Sequence, residues 1–363
     1  MSEARKYTGV AEPPLNDPTA RTRTSAEPHP QKSETPRRKF LRFFKFLLIL
    51  GILWIVFWFL DRSFPGIKPG ADQVLEAKES VVREKVLFPA GTTTRVVVCG
   101  DSRMLAGFNP KVFDPLAGEG VISWNLGLPG LNRYLDELSA LVERGQAPTH
   151  VLLTLSWPAK VHPSLYDSLR DDDALMNKVF PFRKLPRNAA LFAILARSHG
   201  GLRTYYASAM ATVDQLLDNR GYYFIEGQSH YADNRLPDDF RLDSDTPQKT
   251  NKRELDTSLA GFDRLQQLMK KGGFKVIFVP CYARKGQLAP IEYDADEAKR
   301  LAAFDITTVG PAYYLYENRY FSDPVHMNRE GAELYTKQLW ELLRPVFHKP
   351  AAVPATPDAG GRN

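Results

Sequence analysis

The chain has 363 residues, 43% of them apolar and 25% charged, proportions ordinary for a globular protein and unlike those of a wholly disordered, collagen-like or many-pass membrane chain. Its 48 Lys and Arg exceed its 42 Asp and Glu by six, but ten of those cations and five of those acids lie in residues 1–45, leaving 38 against 37 for the rest. A basic excess held in a tail rather than on a folded face argues against nucleic acid as a partner, and two cysteines exclude a disulfide-rich scaffold and a four-cysteine zinc site.

Residues 1–36 contain six prolines with much Ser, Thr and charge. Such a segment buries too little to offset its ordering entropy, and a disordered basic tail is predicted over residues 1–40. Arg37, Arg38, Lys39, Arg42 and Lys45 then lead into an apolar run from Phe46 to Leu60. Counted from Leu41, with Arg42 and Lys45 snorkelling, residues 41–60 are long enough to cross a bilayer, which takes about 20 residues at about 1.5 Å each. A buried core helix would have to hide Trp54, Phe57, Trp58 and Phe59 on every face, and Asp61-Arg62-Ser63-Phe64-Pro65 lacks the small-residue pattern of a signal-peptide cleavage site. Positive charge before the span and little after it predicts a cytoplasmic N-terminus, with residues from about 61 onward periplasmic or extracellular. The basic residues beside the span favour anionic inner-leaflet lipids.

Residues 61–94 read as a membrane-proximal linker with a short helix over Leu75–Val86. A folded domain is expected over 95–348, followed by a disordered tail over 349–363. Arg95–Cys99 and Val121–Trp124 are β-branched runs, and Leu131–Arg144 has helical spacing. His150–Leu155 is a third strand, Glu254–Lys271 a helix ended by Gly272-Gly273, and Lys275–Val279 a fourth strand. Asp294–Phe304 and Arg329–Leu343 are helical, the latter with Asn328 as N-cap. Strands alternating with helices predict an α/β fold with a mostly parallel, covered sheet. Residues 157–253 are too many for a simple crossover. They read as an insertion holding a helix near Ala189–Leu217, placed beside the carboxyl ends of the strands, where open α/β sheets bind ligands. Cys99 and Cys281 each end an apolar run and read as small buried thiols.

Two segments carry chemistry. In Val96-Val97-Val98-Cys99-Gly100-Asp101-Ser102-Arg103 a buried strand runs into a glycine turn and then a serine where a helix should begin. This leaves Ser102 either as a plain helix cap or as an exposed nucleophile among backbone N–H groups. In Phe321-Ser322-Asp323-Pro324-Val325-His326 the acid and the histidine, three apart in a turn, can pair so that Asp323 orients His326 and its second ring nitrogen takes a proton from a serine. No further His, Cys or Asp sits at metal spacing around His326, so no metal is expected, and no cofactor is implied. His162 and His230 read as solvated residues of the insertion, and Tyr205-Tyr206 and Tyr222-Tyr223 as packing rather than sugar-stacking surfaces.

Taken together these segments resemble the SGNH, or GDSL-type, hydrolase family, from roughly Arg95 to Leu343 with the insertion between. Gly100-Asp101-Ser102 resembles the family's first block, Trp124-Asn125-Leu126-Gly127 its second, and Asp323-Pro324-Val325-His326 with Asn328 and Gly331 its last. The resemblance implies a flavodoxin-like three-layer α/β/α fold, preceded here by one transmembrane helix, and ester or acyl chemistry. It implies Ser102 as nucleophile, His326 as base and Asp323 as its orienter. It also implies an oxyanion hole from the Ser102 and Gly127 backbone N–H groups with Asn125 alongside. Where the family's third block offers an Asn, this chain reads Thr154-Leu155-Ser156-Trp157-Pro158, so Ser156 or Arg103 is left to donate. Arg103, Ser156 and Trp157 are the substrate-side candidates. Membrane-anchored relatives of this layout acylate envelope polymers. The implied partners are thus the bilayer, a cell-envelope polysaccharide or other acylated substrate, and a membrane protein that delivers the acyl group. An esterase or a non-catalytic envelope scaffold are the rival readings.

Overall fold

The computed structural model describes residues 36–68, 70–129, 134–154, 180, 182–223, 229, 231–245, 257–289 and 294–347. The expectations for the tails before 36 and after 347, and for Ser156, Trp157, His162 and His230, lie outside the described residues. Contacts divide the chain into two units, 1–55 and 56–363.

Helix α1 (Pro36–Ser63) begins in the first unit and ends in the second. From Phe40 to Ser63 it has 24 residues; their most apolar 18-residue window has a mean hydropathy of 2.5, and none of that window is buried. It is long and apolar enough to cross a membrane.

The second unit is mixed α/β. Its strands are β1 (Thr94–Cys99), β2 (Val121–Asn125), β3 (His150–Leu153), β4 (Lys275–Phe278), β5 (Cys281–Arg284), β6 (Ile306–Thr308) and β7 (Tyr313–Tyr316). Its helices after α1 are α2 (Gly70–Glu84), α3 (Ser102–Gly107), α4 (Pro110–Ala117), α5 (Tyr134–Glu143), α6 (Leu185–Ser198), α7 (Leu202–Asp218), α8 (Ala260–Gly272), α9 (Ala295–Ala302) and α10 (Arg329–Phe347). Five strands form one sheet in the order β2-β1-β3-β4-β6, and every pairing in it is parallel. Strands β5 and β7 pair separately. The order reverses between β1 and β3, so the connections leaving these two strands diverge and open a crevice at their carboxyl ends.

Successive strand residues point to opposite faces, and here both faces are covered. Val97, Cys99, Val151, Leu153, Val276 and Phe278 pack with Val81 and Val82 of α2, Leu138 of α5 and Leu265 of α8. Val96, Val98, Leu152 and Ile277 pack with Met104 of α3, Phe113 of α4 and Tyr335 and Leu339 of α10. Burial on both faces is why these strands read as continuous apolar runs rather than alternating ones. Each fully buried Val or Leu contributes about 1.5–3 kcal/mol.

Several expectations need correction. The helix expected near Ala189–Leu217 is two, α6 and α7, because Gly200 and Gly201 take positive φ (78° and 100°) between them; left-handed backbone ends a helix. Helix α8 starts at Ala260, with Thr257–Leu259 in turn and bend geometry, rather than at Glu254. The third strand stops at Leu153 instead of Leu155. Cys281 does not close an apolar run: Pro280 breaks it, and Cys281 opens β5. Strands β6 and β7, three and four residues long, are too short to show a periodic pattern. Tyr222 and Tyr223 are buried, and Tyr205 packs its ring 5.2 Å from that of Phe192.

Candidate active site

The site lies at the carboxyl ends of β1 and β3. Beyond Cys99 the chain passes Gly100, where a Cβ would come within 2.7 Å of both Met104 Cβ and Thr154 Oγ1. Any larger residue would force Met104 or Thr154 to shift. Asp101 then caps α3, its Oδ1 accepting from the Arg103 N–H at 2.9 Å. Ser102 is therefore the first residue of the helix, where backbone N–H groups have no partner within the helix.

The other half is the turn Phe321–Asn328, which has no helix or strand of its own. Its ends meet at a bridge between Phe321 and Met327, and the Ser322 N–H donates to the His326 carbonyl at 2.9 Å. Inside it, Asp323 Oδ1 accepts from the Val325 and His326 N–H groups at 2.7 Å each. Asp323 Oδ2 lies 2.8 Å from His326 Nδ1, and His326 Nε2 lies 2.8 Å from Ser102 Oγ. A carboxylate can only accept, so Nδ1 carries the ring proton and Nε2 is left to accept from the serine hydroxyl. Burial would raise the Asp323 pKa, but the His326 ring and the two backbone donors outweigh it and hold the carboxyl below its ordinary value. Ser102, Asp323 and His326 are all partly exposed. Such a chain lets a hydroxyl give up its proton to the imidazole as it attacks an electrophile, while the carboxylate stabilises the imidazolium.

Side chains from elsewhere brace the turn. Arg284 of β5 is 1% exposed; its Nε donates to the Pro324 carbonyl at 2.8 Å and its Nη2 to Asp245 Oδ1 at 2.8 Å. The Ser229 hydroxyl donates to the Ser322 carbonyl at 2.6 Å, and the Leu236 N–H to the Phe321 carbonyl at 3.0 Å. The Asn318 amide donates to the carbonyls of Pro237, Asp238 and Phe240. Asn328 Oδ1 caps α10 by accepting from Gly331 N–H at 2.9 Å, the predicted cap.

The second-block residues behave differently from expectation. The Asn125 amide is buried and donates to the Met104 and Phe108 carbonyls at 2.7 Å each. Its Oδ1 accepts the Gly127 N–H at 2.9 Å. Both donors are thus spent inside the protein, tying the segment after β2 to α3, which corrects the assignment of Gly127 and Asn125 as oxyanion donors. Lys78 of α2 supports this segment from below. Its Nζ donates to the Gly127 carbonyl at 2.5 Å, and burial pushes its ammonium down to about 7, with Glu137 and Cys99 opposing. Arg103 is held by Asp101, Nη2 to Oδ2 at 2.7 Å, and lies over the Tyr313 ring.

Arg284 and Lys78 were not singled out from sequence. Lys78 sits among Val74, Val81 and Val82 at helical spacing, a cation on an apolar stripe, and that was a legible signal. Arg284 carries none. Thr154 follows β3, with its Oγ1 buried and, among the described residues, without a hydrogen-bond partner. Cys99 and Cys281 are buried and form no disulfide. Among the described residues no group of three or more His, Cys, Asp or Glu is placed to hold a metal. No protein-family model, curated protein or solved structure matches the chain.

Proposed function

We propose that this chain is a membrane-tethered serine acyl-transfer enzyme of the SGNH type, with its catalytic domain outside the cytoplasm, O-acylating a cell-envelope polysaccharide. The observation that carries the reading is the Ser102–His326–Asp323 chain of contacts, two at 2.8 Å, drawn from segments more than 200 residues apart in sequence. The strand order β2-β1-β3-β4-β6, with both sheet faces covered, supports a flavodoxin-like three-layer arrangement. The basic cluster in the first turns of α1, ahead of its apolar run, supports a cytoplasmic N-terminus.

In the proposed reaction Ser102 Oγ attacks an acyl carbonyl carbon as its proton passes to His326 Nε2. Asp323 stabilises the resulting imidazolium. Collapse of the tetrahedral intermediate breaks the bond to the leaving group, which takes the proton back from His326, leaving an acyl-serine. A sugar hydroxyl then attacks that ester, giving its proton to His326 Nε2, and the bond to Ser102 Oγ breaks as Oγ takes that proton, restoring the resting pair. The Ser102 N–H at the start of α3 faces the developing oxyanion. The second donor we place at the Thr154 hydroxyl, one residue past the Cys99–Leu153 pair that ends the β1–β3 register and close beside Gly100. Thr154→Val is expected to lower kcat on the order of 10²–10³-fold with KM little changed, measured by steady-state kinetics.

Transfer is favoured over hydrolysis because a tether keeps the site near lipid-linked or exported polymers and raises their local concentration. Full-length protein in nanodiscs, given p-nitrophenyl acetate with and without an oligosaccharide acceptor, tests this. Acceptor-dependent acyl transfer that outruns hydrolysis supports the transferase, and hydrolysis untouched by acceptor makes the chain an esterase. A non-catalytic scaffold is favoured by one observation, the spent donors of Gly127 and Asn125. A fully functional Ser102→Ala variant in cells would establish it.

A further inference from the structure

Between Phe180 and Val213 the chain carries Arg183, Lys184, Arg187, Arg197 and Arg203 and no Asp or Glu. Most of this stretch is the hairpin of α6 and α7. Its inner side is well occupied: Phe192 packs on Tyr205, Tyr206 lies against Gly66 just beyond α1, and Lys184 Nζ reaches to 3.8 Å from Asp72 of α2.

Among the described residues the outer side is not. Ile194 is 64% exposed and Leu202 60%, and Phe180 and Leu195 are exposed as well. Ala190, Ala193, Ile194 and Arg197 share one face of α6 by their spacing, all exposed, with exposed Arg187 one turn before Ala190. Apolar side chains flanked by arginines, with no acid to balance them, are the composition of a helix that lies in a membrane interface, its stems buried and its charged ends at the headgroups.

The position of the hairpin fits that composition. The Phe182 ring lies 5.6 Å from that of Phe57. Phe57 is six residues before Ser63, the end of the apolar helix, which places it about 9 Å inside that end. Phe182, packed against Phe57, is then within the membrane interface when α1 spans the bilayer.

We propose that the α6–α7 hairpin is a second membrane contact, setting Phe180, Ile194, Leu195 and Leu202 into the interface and Arg187, Arg197 and Arg203 against anionic phospholipid headgroups. The inference rests on α1 as a span and not on the chemistry of Ser102, so it fails or stands separately from the acyl-transfer reading. A second contact also restricts the swing of a domain otherwise held by one helix.

The test uses the full chain in nanodiscs, with a nitroxide on Ile194→Cys or, as control, on Lys271→Cys at the exposed last turn of α8. The native Cys99 and Cys281 are buried, so labelling is confined to the introduced thiol. In bilayers of phosphatidylcholine with added phosphatidylglycerol, label 194 should be open to oxygen and shielded from a polar nickel chelate, and label 271 the reverse. Each basic residue near an anionic surface is worth roughly fivefold, so reversing Arg187, Arg197 and Arg203 to Glu should shift the docked population roughly a hundredfold towards water. Label 194 reading like label 271 in the unreversed chain overturns the proposal and leaves a protein partner as the occupant. Label 194 equally shielded in neutral bilayers and after charge reversal overturns the headgroup assignment.

Discussion

The two halves of the candidate site are held in place by different physics. Ser102 stands at a corner made by neighbours in sequence: an apolar strand, a glycine that lets α3 close on the sheet, and an aspartate cap. The Asp323–His326 turn has no such local support. Its shape comes from its own carboxylate and from Arg284, Ser229 and Leu236, all far away in the chain. The proposed nucleophile is therefore set by a few consecutive residues, whereas the proposed base and its orienter depend on distant parts of the domain, the insertion included.

The largest effects should come from cutting the relay that joins the halves. Ser102→Ala and His326→Ala should each lower the rate of p-nitrophenyl acetate turnover by roughly 10⁶-fold. Asp323→Asn should cost on the order of 10⁴-fold by presenting the wrong imidazole tautomer. Circular dichroism should show all three folded. Asp323→Asn retaining most of the activity would break the assignment of the turn as orienter.

The comparison itself is tested by stability. Arg284→Met strands the nearly buried Asp245 carboxylate and frees the Pro324 carbonyl, and removing one partner of a buried pair costs about 3–5 kcal/mol. Asp101→Ala removes a cap at about 1 kcal/mol. Urea unfolding should rank them in that order, and kcat should fall further in Arg284→Met than the loss of folded protein explains. The reverse ranking would mean that the corner, not the turn, depends on distant support.

The smallest effect is in pH. Asp323 has a folded pKa below its unfolded value. Its contribution is therefore complete above the ordinary carboxylate value and is lost as pH falls through the lower, folded one. Stability measured by denaturant titration should decline across that acidic window, and Asp323→Asn should make the decline shallower. An unchanged slope would show that the turn's backbone donors do not distinguish the two protonation states.

Much of the sheet was readable because buried parallel strands are unbroken apolar runs: β1, β2 and β4 lie within a residue of where the sequence puts them. Asp323 and His326 were readable as a pair because three residues in a turn confine their separation. Helix α1 was readable from length and hydropathy alone. The break between α6 and α7 was not, since glycine permits the left-handed backbone without requiring it. Strand β5 was hidden behind Pro280.

Local order sets φ/ψ preference, apolar period and capping, and these determined by themselves the long apolar helix, the Gly100–Ser102 corner, the Asn328 cap and the α/β alternation. Only the tertiary structure decided that the Gly127 N–H is spent on Asn125 and the Asn125 amide on α3 and its cap, and that Lys78 and Arg284 are buried props. It alone decided that an imidazole near the end of the chain meets a hydroxyl after β1. A hydrogen bond between distant segments is worth about 0.5–1.5 kcal/mol net and leaves no periodic trace in either segment, so partners of that kind become visible only when the sheet brings them together.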